Sequence, residues 1–216
     1  STRVVSPSGN GGNLTEFTME FVVDSGNRDK PVYLGGIKDD FELAMGATGG
    51  TFLRPVKDAG GFIATGNVRY QDVTPAGKNR GTPVSILYSV TLGSVGASDG
   101  RVAIYHNDVL VYCEDLNANA ATLTGSKWLA FSQGGIDNFT GEVEAWRVWD
   151  KSFLTAGATG NGAPDSPDRA ALDGHLVKEL SIADKLANGA ADYDAALADL
   201  NADPWRLDAS EPFVEP

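Results

Sequence analysis

Residues 139–154 read FTGEVEAWRVWDKSFL, and this stretch decides the fold. Strict alternation puts Glu142, Glu144, Trp146 and Val148 on one face of an extended strand, and Val143, Ala145, Arg147 and Trp149 on the other. A tryptophan on each face predicts a central strand covered on both sides.

Working outward, the flanking sequence keeps a strand period. Residues 14–24 (LTEFTMEFVVD) set Phe17, Met19 and Phe21 against Thr18 and Glu20, as in a half-buried strand. Residues 84–92 (VSILYSVTL) form a long β-branched run between Pro83 and the glycines from 93 to 100. Residues 101–106 and 109–114 flank Asn107–Asp108, a pair that tolerates the left-handed backbone of a two-residue hairpin turn. Residues 41–45, 61–65 and 127–132 are shorter strand candidates. Many strands with glycine-rich turns predict an antiparallel sandwich or barrel.

The pattern changes near residue 162. Of 26 glycines only Gly174 and Gly189 follow it, whereas 12 alanines fall in residues 163–216. Ser166, Pro167 and Asp168 read as cap, first helical position and dipole partner of a helix. Leu172, Leu176 and Leu180 then make an i, i+4, i+8 stripe. Asn188–Gly189 is a stop signal. A second helical segment carries Tyr193, Leu197 and Leu200 and ends before Asp203–Pro204. The expected division is an N-terminal arm (1–13), a β-sandwich (14–155), an acidic helical appendage (156–202) and an irregular tail (203–216).

Composition excludes several classes. The chain has 216 residues, 17 basic and 29 acidic side chains and a net charge of −12. A nucleic-acid partner is not expected, because phosphate neutralisation needs clustered Lys and Arg. No apolar run approaches the roughly 18 residues of a membrane-spanning helix, so no membrane partner is expected. One cysteine, Cys113, allows no internal disulfide and no cysteine-ligated metal. It reads as a small buried hydrophobe. Two histidines, His106 and His175, leave little for imidazole catalysis. Residues 1–13 lack an apolar h-region, so no signal peptide is expected and the sequons at Asn13 and Asn138 read as chance matches.

Three stretches resemble a known family. GRVAIYHNDVLVY (100–112) is similar to the hairpin of concanavalin A-like, laminin-G-type jelly rolls, with Asp108 where glycine is usual. Residues 128–131 resemble their next strand. In residues 139–154, Phe139, Gly141, Val143, Glu144, Arg147, Val148, Trp149 and Leu154 match the family's closing strand. The resemblance implies a mainly β, concanavalin A-like antiparallel sandwich with a short C-terminal helical appendage. Residues 195–207 (AALADLNADPWRL) further resemble the helix and Asn-Pro-Trp ending that follows such jelly rolls in tailed-phage structural proteins. That implies a virion setting, with Pro204, Trp205, Leu207 and Phe213 as partner-binding residues.

The candidate chemistry is sparse. Gly96-Ala97-Ser98-Asp99-Gly100 matches the nucleophile-elbow pattern, but a strand follows where a helix is needed, so a glycine-rich turn is expected. Glu142 and Glu144 could form a carboxylate pair of the kind that cleaves glycosidic bonds. Sugar-cleaving jelly rolls of the laminarinase type carry a third acid where Arg147 stands, so an ion pair is the expected role. Asp24, Asn27 and Asp29, or Asp39, Asp40 and Glu42, could offer oxygens to calcium; no other cofactor is expected. Tyr33, Tyr70, Tyr105 and Trp128 could line a concave sheet and stack on sugar rings, although strand aromatics more often fill cores.

These readings converge on a non-enzymatic structural or accessory protein of a phage-like virion, at its head, tail or fibre. Its expected partners are other virion proteins, further copies of itself and a cell-surface glycan. The alternative is an extracellular or virion-borne carbohydrate-binding module. A glycan hydrolase or lyase ranks third.

Overall fold

The computed structural model describes residues 4–5, 14–24, 32–37, 41–45, 51–55, 68–69, 83–116, 128–130, 142–157, 162–192, 194–196 and 198. In chain order the strands are β1 (Val4–Val5), β2 (Glu16–Asp24), β3 (Val32–Ile37), β4 (Phe41–Met45), β5 (Thr51–Pro55) and β6 (Val68–Arg69). They continue as β7 (Val84–Thr91), β8 (Gly100–His106), β9 (Val109–Leu116), β10 (Trp128–Ala130), β11 (Glu142–Trp149) and β12 (Leu176–Ser181). A 3-10 helix covers Arg169–Leu172, and helix α1 covers Ile182–Ala187. Among the described residues these strands form two antiparallel six-stranded sheets, ordered β1-β10-β3-β4-β5-β6 and β12-β11-β2-β7-β8-β9.

Alternation explains the second sheet. Phe17, Met19, Phe21 and Val23 of β2, Ile86, Tyr88 and Val90 of β7, Val102 and Ile104 of β8, and Trp146 and Val148 of β11 share one face. All are fully buried in one cluster with Leu34 of the first sheet, so this face packs against that sheet. Tyr88 ties the layers: its ring stacks on Phe21 with centroids 6.2 Å apart, and its hydroxyl donates to the Gly35 carbonyl at 3.4 Å. At roughly 25 cal/mol per Å2 of apolar area, such side chains carry most of the sandwich's stability.

The predicted hairpin is present. Asn107 and Asp108 have φ of 49° and 62°, the left-handed pair that joins β8 to β9 with the right twist. The glycine-rich turn is also as expected: Asp99 Oδ1 accepts from the Ser94 amide at 2.6 Å, and strand β8 follows.

The helix expected from Ser166 through Leu180 is corrected. Asp168, not Ser166, caps a single 3-10 turn, accepting from the Ala171 amide at 3.3 Å. Leu176–Ser181 is a strand on the outer edge of β11. A register shift beside Val148–Trp149 splits the leucine stripe: Leu180 pairs with Trp146 and is buried, whereas Leu176 pairs with Trp149 and is 48% exposed. The hydrogen-bonding edge of β11 stabilises extended backbone there, overriding local helix propensity. Helix begins only at α1, where Ser181 Oγ accepts from the Asp184 amide, and it stops at Asn188 and Gly189 as predicted. Residues 194–196 and 198 are helical, with Asp192 capping through the Ala195 amide at 2.9 Å.

Candidate functional site

The outer face of the β12-β11-β2-β7-β8-β9 sheet gathers most of the described polar chemistry. Sequence alternation places Thr18 and Glu20 on a solvent face, yet they are 0% and 2% exposed. The chain after β11 turns back and covers them. Leu154 and Phe153 pack on Leu87, Ala103, Tyr105 and Cys113, making a second small core. The Trp149 face of β11 is thus covered, as a tryptophan on each face predicts, by irregular chain.

Beneath the cover runs a hydroxyl relay. Thr18 Oγ1 donates to the Lys151 carbonyl at 2.7 Å, so its single proton is spent. Ser89, 2.7 Å away, must then donate to Thr18, and Ser152, 2.8 Å from Ser89, must donate to Ser89. The Leu154 amide closes the chain by donating to Ser152 Oγ at 3.0 Å. Each of these three hydroxyls is satisfied, as burial requires. Glu16 adds a clamp, accepting from Lys151 Nζ at 2.5 Å and from the Ser152 amide at 3.2 Å.

Glu20 is the hub. Its carboxylate accepts from Arg169 Nη2 at 2.7 Å, Arg147 Nη1 at 3.0 Å and Ser85 Oγ at 2.7 Å. Burial alone would raise its pKa. Hydrogen bonds from Arg169 and Ser85, the Arg169 charge and the Arg147 bond outweigh that and hold it below the usual glutamate value. Arg147 also pairs with Glu179 of β12, and Arg169 with Asp108 at 2.6 Å. Arg147 therefore makes cross-strand ion pairs, although the sequence pointed to Glu142 and Glu144 of its own strand as its acids. Its acids are Glu20 and Glu179.

The glycosidase-like carboxylates do not line up as i, i+2. Val143 pairs with Val23 and Ala145 with Val22, so Glu144 sits in a bulge and is exposed. The bulge shifts Glu142, which pairs with Asp24, relative to Trp146 and Val148. The nucleophile-elbow match is a surface turn, with Ser98 exposed.

The four aromatics proposed for sugar stacking are divided. Tyr105 is fully buried under the cover, its hydroxyl donating to the Pro164 carbonyl at 3.0 Å, and burial raises its pKa. It is not available to a ligand there. Tyr33 and Trp128 belong to the other sheet, and Tyr70 lies outside the described residues. In that sheet, the pairing register puts Trp128, Ile37, Phe41, Leu43, Leu53 and Val68 at positions of one face, an apolar set by sequence. The register positions of the opposite face are Tyr33, Ala44, Phe52 and Arg69 in one row and Leu129, Gly36, Glu42 and Arg54 in the next.

Other candidates stay apart. Cys113 is half-buried beside Ala103, and burial raises its thiol pKa, so it behaves as a small hydrophobe. His175 Nδ1 lies 3.0 Å from Asp150 Oδ1 on the surface. Among the described residues no group of three or more His, Cys, Asp or Glu could hold a metal. Of the calcium candidates, Asn27, Asp29, Asp39 and Asp40 lie outside the described residues, as do the side chains of Asp24 and Glu42. Pro204, Trp205, Leu207 and Phe213 also lie outside them. No described helix is long and apolar enough to cross a membrane. The polar network was missed because Thr18, Glu20 and Ser89 alternate with core residues and read as solvent-facing. Arg147, a lone cation on a tryptophan-rich strand, was the one signal for it.

No protein-family model and no curated protein matches the chain. Solved structures do match its fold. A native heptameric SAP-like pentraxin from Limulus polyphemus aligns with a TM-score of 0.50 and 13% identity, over 70% of this chain and 71% of its own. A proposed carbohydrate-binding protein from Bacteroides ovatus ATCC 8483 aligns with a TM-score of 0.50 and 15% identity, over 84% of this chain; the match spans 50% of that longer protein. With the two sheets and their order, these likenesses establish a mainly β, concanavalin A-like antiparallel sandwich.

Proposed function

We propose that the chain is a non-enzymatic binding module that recognises a glycan on the outer face of the β10-β3-β4-β5 sheet. One observation carries this reading: the other outer face is occupied by the chain itself, and its buried carboxylate is committed to two arginines. The reading therefore places the ligand on the opposite sheet. There the backbone register pairs both Tyr33 and Phe52 with Ala44, one small residue between two aromatic positions, pairs Phe52 with Arg69, and pairs Glu42 with Arg54. Aromatic rings supply apolar faces and charged groups supply hydrogen bonds, the pairing that sugar recognition needs. The fold likeness to a proposed carbohydrate-binding protein agrees with it. A glycan-array screen followed by titration of Tyr33→Ala and Phe52→Ala tests the proposal. Binding that survives both substitutions, or no binding to any glycan, refutes it. Release of sugar product would refute the non-enzymatic part.

The particle setting rests on a separate observation, the Ala195–Leu207 ending. On this reading the module rides on a phage-like virion, or otherwise acts outside cells. Pro204, Trp205, Leu207 and Phe213 dock onto a neighbouring subunit, and the chain self-associates. Native mass measurement with Trp205→Ala tests it. A monomer with no affinity for capsid or tail proteins refutes it.

A further inference from the structure

We infer that residues 163–171 form a glycine-hinged flap, which lifts as a unit from the sandwich while both sheets stay intact. Lifting uncovers a hydrogen-bonding recess made by Glu20, Arg147 and Tyr105. Gly162 and Gly174 bound the segment with φ of 61° and 79°, conformations in which glycine carries no steric penalty. Leu172, 2% exposed, anchors the chain beside the second hinge. Between the hinge and that anchor the segment buries little. Pro164, Asp165, Ser166, Asp168, Arg169 and Ala170 are all exposed.

Among the described residues, the contacts that hold the flap down are mostly polar. Tyr105 donates to the Pro164 carbonyl at 3.0 Å, and the Leu110 amide donates to the Asp165 carbonyl at 2.9 Å. Arg169 reaches Glu20 at 2.7 Å and Asp108 at 2.6 Å. Ala163 adds its methyl to the Leu87–Tyr105 cluster. Water can replace most of these bonds on opening, whereas nothing replaces the apolar contacts on the inner face of the same sheet. Segments with few buried apolar contacts open below the free energy of global unfolding. Glu20 keeps Arg147 and Ser85 as partners after Arg169 leaves, so the open state strands no buried charge. The Tyr105 hydroxyl and one side of Glu20 then face solvent.

Native-state hydrogen exchange on the full chain tests this without any ligand. The amide of Leu110 reports on the flap, because its acceptor is Asp165. The expected result is exchange at least about tenfold faster than the β7 amides and the β9 amides bonded to β8, with little dependence on denaturant. Arg169→Ala should accelerate Leu110 about tenfold further and leave β7 unchanged. Leu110 exchanging at the rate and denaturant dependence of β7, or together with its β9 neighbours, overturns the flap. The wild-type comparison decides alone if Arg169→Ala fails to fold.

Discussion

Replacing Glu20 with glutamine asks whether the ion-pair hub holds the cover to the sandwich. The carboxylate is 3% exposed and accepts four bonds: from Arg169 at 2.7 and 3.3 Å, Arg147 at 3.0 Å and Ser85 at 2.7 Å. Breaking a buried pair by removing one partner costs about 3–5 kcal/mol. Here the arginine side chains are 28% and 41% exposed and keep Glu179 and Asp108, so solvent and those acids recover part of that. Glutamine also retains an acceptor. The expected loss is therefore about 2–4 kcal/mol, which lowers Tm by roughly 5–12 °C in a chain of this size.

Urea unfolding followed by tryptophan fluorescence measures it, with the midpoint falling and the slope unchanged. The pH dependence supplies a second check. Because the folded Glu20 pKa lies below its ordinary value, its contribution is complete above the ordinary glutamate range and disappears as pH falls through the folded value. Wild-type stability should thus fall more steeply than that of Glu20→Gln below about pH 5. A Glu20→Gln midpoint within about 0.5 kcal/mol of wild type would refute the hub, since that is the size of an ordinary surface substitution.

Two further substitutions test the sandwich itself. Trp146→Ala removes the largest fully buried side chain among the described residues from between the sheets and should cost about 3–5 kcal/mol by chemical denaturation. Asn107→Ala puts alanine at φ 49° and deletes the acceptor of the Ser85 amide at 2.9 Å; a loss of about 1–3 kcal/mol is expected in the same assay.

The strands whose side chains alternate cleanly were legible in the sequence. Phe17, Met19 and Phe21 give β2, the Asn107–Asp108 pair gives the β8–β9 hairpin, and the tryptophans at 146 and 149 give a central strand. What failed was Leu172, Leu176 and Leu180. An i, i+4 spacing lies on one face of a helix and on one face of a regular strand alike, so it cannot choose between them. The choice was made by the free edge of β11, a long-range partner that no local pattern reports. The bulge at Glu144 was equally hidden, because one extra residue leaves the sequence alternation intact while changing which residues share a face. The same limit applies to the polar hub. Glu20, Ser85, Arg147 and Arg169 are up to 149 residues apart, and nothing local joins them. Strand β3 carries only a weak alternation interrupted by Gly35 and Gly36, so the placing of Tyr33 opposite the apolar set came from pairing.

Backbone amide shifts of the labelled chain during titration with a glycan selected from an array test the central claim most directly. The account predicts saturable shifts confined to residues 32–37, 41–45 and 51–55, with β7 and β8 amides unmoved and the glycan recovered intact. Shifts centred on β7, β8 and the 163–171 segment would contradict it, as would cleavage of the glycan.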